Sequence, residues 1–236
     1  MLQKQDVVSY EEWMKTCQQH LQKEKAFTRL RDQLSEQRRA LPWTKVEKEY
    51  RFDSEAGHQS LSDLFAGKSQ LIIYHFMFGP DWEAGCPSCS FWADNFNSID
   101  VHLNARDITL IAVSRAPLKK LQAYKKRMGW VFNWVSSFES DFNTDFAVSF
   151  TEEELNSGQR YYNFKTSGFP VSEAPGVSVL YKNEEGEIFR TYSCYARGLD
   201  ILNGAYNYMD IAPKGRDESE LPMPMAWVRR RDEYDV

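Results

Sequence analysis

The chain reads as an α/β domain built on a parallel sheet, preceded by a helical extension and followed by a charged tail. Three observations predict this. Between Gln70 and Gly129 short apolar runs alternate with helical patterns, and strand–helix–strand–helix at that spacing calls for parallel strands covered by helices. From Val177 to Tyr192 two strand-like runs flank Asn183-Glu184-Glu185-Gly186, a hairpin turn. The first forty residues carry helical periodicity. The expected divisions are 1–42 for the extension, 43–213 for the α/β domain and 214–236 for the tail.

The elements follow in order. Ser9 and Glu12 form an S-x-x-E capping box. Tyr10, Trp13, Met14, Cys17 and Leu21, then Phe27, Leu30 and Leu34, recur at helical spacing, while the other face mixes both charge signs. This predicts a solvated surface helix, or a helix pair docked on a core, with Cys17 a buried structural thiol on the apolar stripe. Pro42 ends it. Lys45 to Phe52 reads as an edge strand and Asp53 to Ser60 as loop. Gln70 to Phe78 is the first central strand, followed by a helix from Pro87 to Asn104. Asp107 to Val113 is the next strand, and the helix from Pro117 to Met128 stops at Gly129. A polar stretch spans Thr151 to Gly168, and a helix follows the hairpin from Leu199 to Met209.

Composition narrows the function. Of 236 residues 42% are apolar and 27% charged, a globular balance. Area scaling for 27.6 kDa gives a folded surface of roughly 11,000 Å² against about 40,000 Å² unfolded, so no disulfide or structural metal is needed to hold the chain together. A net charge of −5 carries no footprint for nucleic acid or an anionic membrane. The longest apolar run, Leu71 to Gly79, is far shorter than the roughly 20 residues of a membrane span. The first ten residues hold no apolar export segment, so a cytoplasmic protein is expected. Four cysteines are too few for a secreted disulfide scaffold, and their placement decides their interest.

Cys86-Pro87-Ser88-Cys89 lies between the first central strand and the following helix. A cysteine at a helix N-terminus faces unpaired N–H groups that stabilise its thiolate, and Pro87 suits the first helical position. Cys89 shares a helix face with Trp92, Phe96, Ile99 and Leu103 that should pack on the sheet. Cys89 is then the shielded sulfur and Cys86 the accessible one, so Cys86 is the expected nucleophile and Cys89 the resolving thiol. Half of a zinc site and two inert thiols are the alternatives; no second C-x-x-C or H-x-x-x-H exists. Cys194 reads as a packed or half-exposed thiol and His75 as a hydrogen-bonded core histidine. Trp82, in the loop leading to Cys86, is placed to shield the sulfur or line a substrate groove. Arg115 follows the parallel neighbouring strand, at the sheet edge where ligands of open α/β folds bind. It is a candidate to stabilise the Cys86 thiolate, against a plain ion pair.

These residues resemble a known architecture. The strand, C-x-x-C helix, strand, helix, then Pro175 before a hairpin and final helix is similar to the thioredoxin fold. The resemblance implies a cis-proline at Ala174-Pro175 packed against the redox pair. Ser60 to Lys68 resembles the peroxiredoxin branch more specifically. Closer still is a bacterial thioredoxin-like family of unknown function, described as predicted dithiol-disulfide oxidoreductases. That resemblance rests on Arg38 to Pro42, Tyr74 to Gly79, Gly85 to Ser90, Ser114 to Pro117, Arg127 to Trp130 and Tyr195 to Asp200. Peroxiredoxins place a Thr or Ser between a proline and the peroxidatic cysteine; here Pro80 to Cys86 is one residue shorter and Glu83-Ala84 stand in that place.

The expected function is thiol–disulfide exchange by Cys86 and Cys89, with Pro175, Trp82 and Arg115 shaping the groove or tuning the thiolate. A thiol peroxidase or peroxide sensor and a non-catalytic interaction module are the alternatives. The expected partners are a protein or small-molecule disulfide and a cellular thiol reductant, with a homodimer allowed, and neither nucleic acid, membrane, metal nor cofactor is expected.

Overall fold

The structure is a computed structural model that describes residues 6–235, the side chain of Ser167 excepted. The expected absence of an export segment falls partly on residues 1–5, outside the described residues.

Helix α1 (Tyr10–Arg39) opens with the capping box in place, Ser9 Oγ accepting from the Glu12 N–H at 3.2 Å and Glu12 accepting from the Ser9 N–H at 3.1 Å. No residue of α1 is buried, so the solvated reading holds and the buried Cys17 is corrected: this thiol is exposed. The reason lies in the stripe. At about 100° per residue, the group from Tyr10 to Leu21 and the group from Phe27 to Leu34 centre on faces about 120° apart. They cannot both seat on one surface. The accessible surface of 15253 Å² exceeds the scaling expectation, as a helix that stands off the body requires.

The body is one eight-stranded mixed sheet of order β1-β10-β9-β4-β5-β6-β2-β3. Its strands are β1 (Thr44–Lys45), β2 (Arg51–Ser54), β3 (Gly57–Ser60), β4 (Gln70–His75), β5 (Ile108–Ser114), β6 (Asn133–Ser136), β9 (Gly176–Lys182) and β10 (Ile188–Tyr195). A separate hairpin pairs β7 (Arg160–Tyr162) with β8 (Lys165–Ser167). The central trio β4, β5 and β6 is parallel, and β9 runs antiparallel to β4. The helices are α2 (Pro87–Ala93), α3 (Asp100–Asn104), α4 (Leu118–Met128), α5 (Phe142–Asp145), α6 (Glu152–Ser157) and α7 (Gly204–Ile211). The strand, C-x-x-C helix, strand, helix, hairpin order on this mixed sheet makes the domain thioredoxin-like, with α1 as its helical extension.

Strand alternation splits the core. Tyr74, Phe76 and Phe78 face α2 and α4 with Cys89, Trp92, Tyr124, Trp130 and Trp134. Leu71 and Ile73 face Phe52, Phe65, Phe142 and Phe146 on the other side. His75 belongs to that second face: its Nε2 is 2.9 Å from Ser178 Oγ, and burial drives its pKa down to about 3, so it is the neutral core histidine expected.

Four expectations change. The helix expected from Pro87 to Asn104 breaks into α2 and α3, because Asn95 turns its amide back onto the Phe91 and Trp92 carbonyls and Ser98 takes a φ of +71°. The edge strand and the loop after it become β1 and the β2–β3 hairpin. The polar stretch from Thr151 holds α6, capped by its own Thr151–Glu154 box, and the β7–β8 hairpin. The Ala174–Pro175 peptide is trans, since no described peptide bond is cis; Pro175 instead offers its carbonyl to the Tyr162 hydroxyl at 2.7 Å. Among the described residues no helix is long and apolar enough to cross a membrane.

Candidate functional site around Cys86 and Cys89

Three strand ends define one edge of the sheet. The β4–β5 register pairs His75 with Val113, and the β4–β9 register pairs His75 with Gly176. The residues just beyond, Phe76-Met77, Ser114-Arg115 and Pro175, therefore emerge together. Cys86 joins them through its N–H, which donates to the Met77 carbonyl at 3.1 Å. The fold thus brings Cys86, Cys89, Pro175 and Arg115 to a common edge.

Cys86 is the N-cap of α2 and Pro87 its first residue. Both thiols are free; Cys86 is partly buried and Cys89 is 1% exposed. The neighbouring Cys89 thiol, and after it the Cys89 and Ser88 N–H groups and the Ser88 hydroxyl, favour the Cys86 thiolate enough to outweigh desolvation and bring its pKa down from 9.0 to about 7. Burial drives the Cys89 thiol the opposite way, well above the ordinary range, and the neighbouring Cys86 charge adds to this. Cys89 Sγ accepts from the Met77 N–H at 3.4 Å. Two sulfurs one turn apart are thereby split into an ionisable outer thiol and a protonated inner one.

The loop before Cys86 is braced on both sides. Gly85 is required by close approach: a Cβ there would sit 2.7 Å from the Phe76 ring and 2.9 Å from that of Tyr124. The Tyr124 hydroxyl lies 2.9 Å from Ser90 Oγ, which donates to the Cys86 carbonyl at 2.8 Å. Arg230, from the tail, donates to the Gly85 carbonyl through Nε at 3.1 Å and Nη2 at 2.9 Å, and to the Tyr124 hydroxyl at 3.0 Å. The tail is pinned there by Asp232 and Glu233 on Arg127 and by the Trp227 ring, 5.5 Å from that of Phe91. Residues 214–235 are consequently a strap across the C-x-x-C helix.

Trp82 is half-buried, with its indole over Gly79 and its carbonyl accepting from Lys120 Nζ at 3.1 Å. Arg115 reaches the edge, but its guanidinium is engaged by Glu173 at 3.1 Å, so the thiolate-stabilising part expected for it gives way to the ion pair. Glu173 is 1% exposed and also accepts from Ser149; desolvation raises its pKa to about 7 despite both partners. Cys194, 7% exposed, is the packed thiol expected, on the wall of a cavity of about 1030 Å³ between the Leu41-Pro42 segment and β10.

Sequence reasoning missed Tyr74, Ser90, Tyr124 and Arg230. The alternation of β4 carried a signal for Tyr74, which falls on the Cys89 face. Nothing in a charged tail marked Arg230.

No curated protein matches the chain. Among solved structures it is similar to the peroxidoxin BcpB of Mycobacterium tuberculosis, at 11% identity over 69% of this chain and 93% of that chain, TM-score 0.47. It is also similar to the bacterioferritin comigratory protein of Xanthomonas campestris (16%, 69% and 96%, TM-score 0.44). The mitochondrial 2-Cys peroxiredoxin of Plasmodium falciparum is a third (12%, 71% and 94%, TM-score 0.43). By sequence, residues 2–234 match the family described as "Bacterial protein of unknown function (DUF899)", and the chain belongs to that family.

Proposed function

We propose that this protein is a thiol–disulfide oxidoreductase in which Cys86 attacks and Cys89 resolves. The observation that carries this reading is the asymmetry of the pair. Cys86 sits partly exposed at the mouth of α2, its pKa lowered to about 7, and Cys89 lies buried as a thiol. At neutral pH a substantial fraction of Cys86 is thiolate, and a thiol with a pKa near ambient pH is the best attacking group in disulfide exchange.

The Cys86 thiolate attacks one sulfur of a substrate disulfide, that S–S bond breaks, and the departing thiolate takes a proton from solvent. Cys89 then gives its proton to solvent and attacks the Cys86 sulfur. The second substrate thiolate leaves, and the Cys86–Cys89 disulfide holds the oxidising equivalents. Two electrons have passed to the substrate, and a cellular thiol reductant in the cytoplasm returns them. Trp82 and Pro175 border the groove the substrate enters. Arg115, paired with Glu173, is given no part in ionising Cys86.

Intact mass of the Cys89→Ser variant tests the reading, in a Cys17→Ser background to remove the exposed thiol. A disulfide substrate should leave a stable mixed disulfide on Cys86, and low hydrogen peroxide should oxidise it slowly. Fast stoichiometric sulfenic acid formation with no disulfide trapping would assign a peroxidase instead. Failure to form either adduct would favour an interaction module.

A further inference from the structure

The Tyr74 hydroxyl is buried and has no hydrogen-bond partner. Tyr74 lies in β4 on the face that packs against α2, and its ring is fixed by edge contacts with Phe96 at 5.0 Å and Phe76 at 6.2 Å. Packing, not a hydrogen bond, sets where the hydroxyl points. Tyr74 and Cys89 lie in one buried core cluster, and after burial itself the Cys89 sulfur is the group that acts most on the Tyr74 hydroxyl. The nearby Tyr162 hydroxyl, by contrast, is fully used, donating to the Pro175 carbonyl at 2.7 Å and accepting from the Ala196 N–H at 3.0 Å.

We propose that Tyr74 is a catalytic residue of the resolving step, donating its hydroxyl hydrogen bond to Cys89 when that sulfur becomes a thiolate. The inference rests on the exchange chemistry proposed above. In the dithiol state Cys89 is a neutral thiol, whose sulfur is a weak acceptor, so the hydroxyl stays unpaired. Resolution requires Cys89 to lose its proton in a site whose burial opposes charge. A donor already in place then gains a strong, charge-assisted bond without reorganising. Interactions made in the reacting state and absent from the resting one accelerate a step. Tyr74 keeps its own proton throughout, because desolvation and the adjacent thiols push its ionisation well above the ordinary range. The Met77 N–H is the second donor to the same sulfur, at 3.4 Å.

Ellman's reagent reads the two steps separately, since attack releases one coloured thiolate and resolution a second. In a Cys17→Ser background, Tyr74→Phe should leave the first release within about two-fold of the parent and slow the second roughly 10- to 100-fold, the range for loss of one preorganised donor. The apparent pKa of the second phase should rise. Removing an unpaired buried hydroxyl should also leave the melting temperature of the dithiol form equal or higher. Equal rates in both phases would overturn the proposal, and so would equal slowing of both, which marks a merely structural residue. Fluorotyrosine at position 74 keeps the shape and donates more strongly, so it should speed the second phase; no change or slowing would also refute the role. If the parent itself releases no first thiolate, the exchange chemistry falls and this inference with it. If it releases both and Tyr74→Phe does the same, only this inference falls.

Discussion

Replacing Arg230 by alanine removes three hydrogen bonds from the base of the Cys86 loop, two to the Gly85 carbonyl and one to the Tyr124 hydroxyl. A hydrogen bond to a charged group contributes about 1.5–3 kcal/mol net, and bonds that share one guanidinium do not add. The Arg230 side chain is 19% exposed, so water recovers part of the loss. Its pair with Glu233 at the rim contributes little. The variant should therefore be about 2–3 kcal/mol less stable. A domain of this size loses about 2–4 °C of melting temperature per kcal/mol, so the expected fall is roughly 4–12 °C. The local effect is separable. With the strap loosened, the loop that seats Cys86 at the mouth of α2 is held less firmly, and the Cys86 pKa should rise. Thiolate absorbance against pH reads this directly. Arg230→Lys should recover little, because a lysine keeps the charge but cannot grip one carbonyl with a fork. An alanine variant melting within about 1 °C of the parent, with an unmoved Cys86 titration, would refute the strap argument. A large loss of stability without a pKa change would leave the strap purely structural.

Four further outcomes are expected. Attack by Cys86 should rise with an inflection near pH 7, where its thiolate forms. Because the Cys86 pKa is lowered in the fold, this thiol binds fewer protons folded than unfolded between its folded and ordinary values, so its contribution to stability should climb as pH rises above 7, and Cys86→Ser should flatten that slope in urea melts. Glu173 has the opposite sign: with its pKa raised from 4.5 to about 7, stability should fall as pH rises through that interval. Glu173→Gln should remove that slope and recover up to about 3 kcal/mol at pH 7.5, and a variant that keeps it would sink the assignment. Gly85→Ala forces a methyl to within 2.7 Å of Phe76 and should cost about 1–3 kcal/mol and slow Cys86 alkylation; parent-like alkylation would mean that the loop adjusts freely.

The order of elements and the setting of Cys86 could be read from the chain. The apolar runs at Gln70 and Asp107, each followed by a helical pattern, required parallel strands, and C-x-x-C after the first placed Cys86 at a helix mouth. The spacing of Cys89, Trp92 and Phe96 put the second sulfur inside, and it is inside. These are local signals, fixed by strand alternation and the helical turn. Arg115 shows where they stop. Its place at the sheet edge followed from β5, but its partner Glu173 sits in an isolated antiparallel bridge with Ser149, residues with no periodic pattern. Whether a guanidinium faces a thiolate or a carboxylate is a matter of which charge is nearer, and sequence separation says nothing of that.

The chain by itself determined the α/β class, the capping of α1 and which of the two sulfurs is the more buried, because each depends on neighbours within a turn or a strand. Only the tertiary structure decided that α1 buries nothing, that the charged tail folds back to grip Gly85 from 145 positions away, and that the Tyr74 hydroxyl is buried without a partner in the cluster that holds Cys89. Each of these depends on contacts between segments remote in sequence. A charged tail or an amphipathic helix has the same composition whether or not a complementary surface waits for it. Burial and pairing are properties of the assembled surfaces, and they appear only once the sheet has brought those surfaces together.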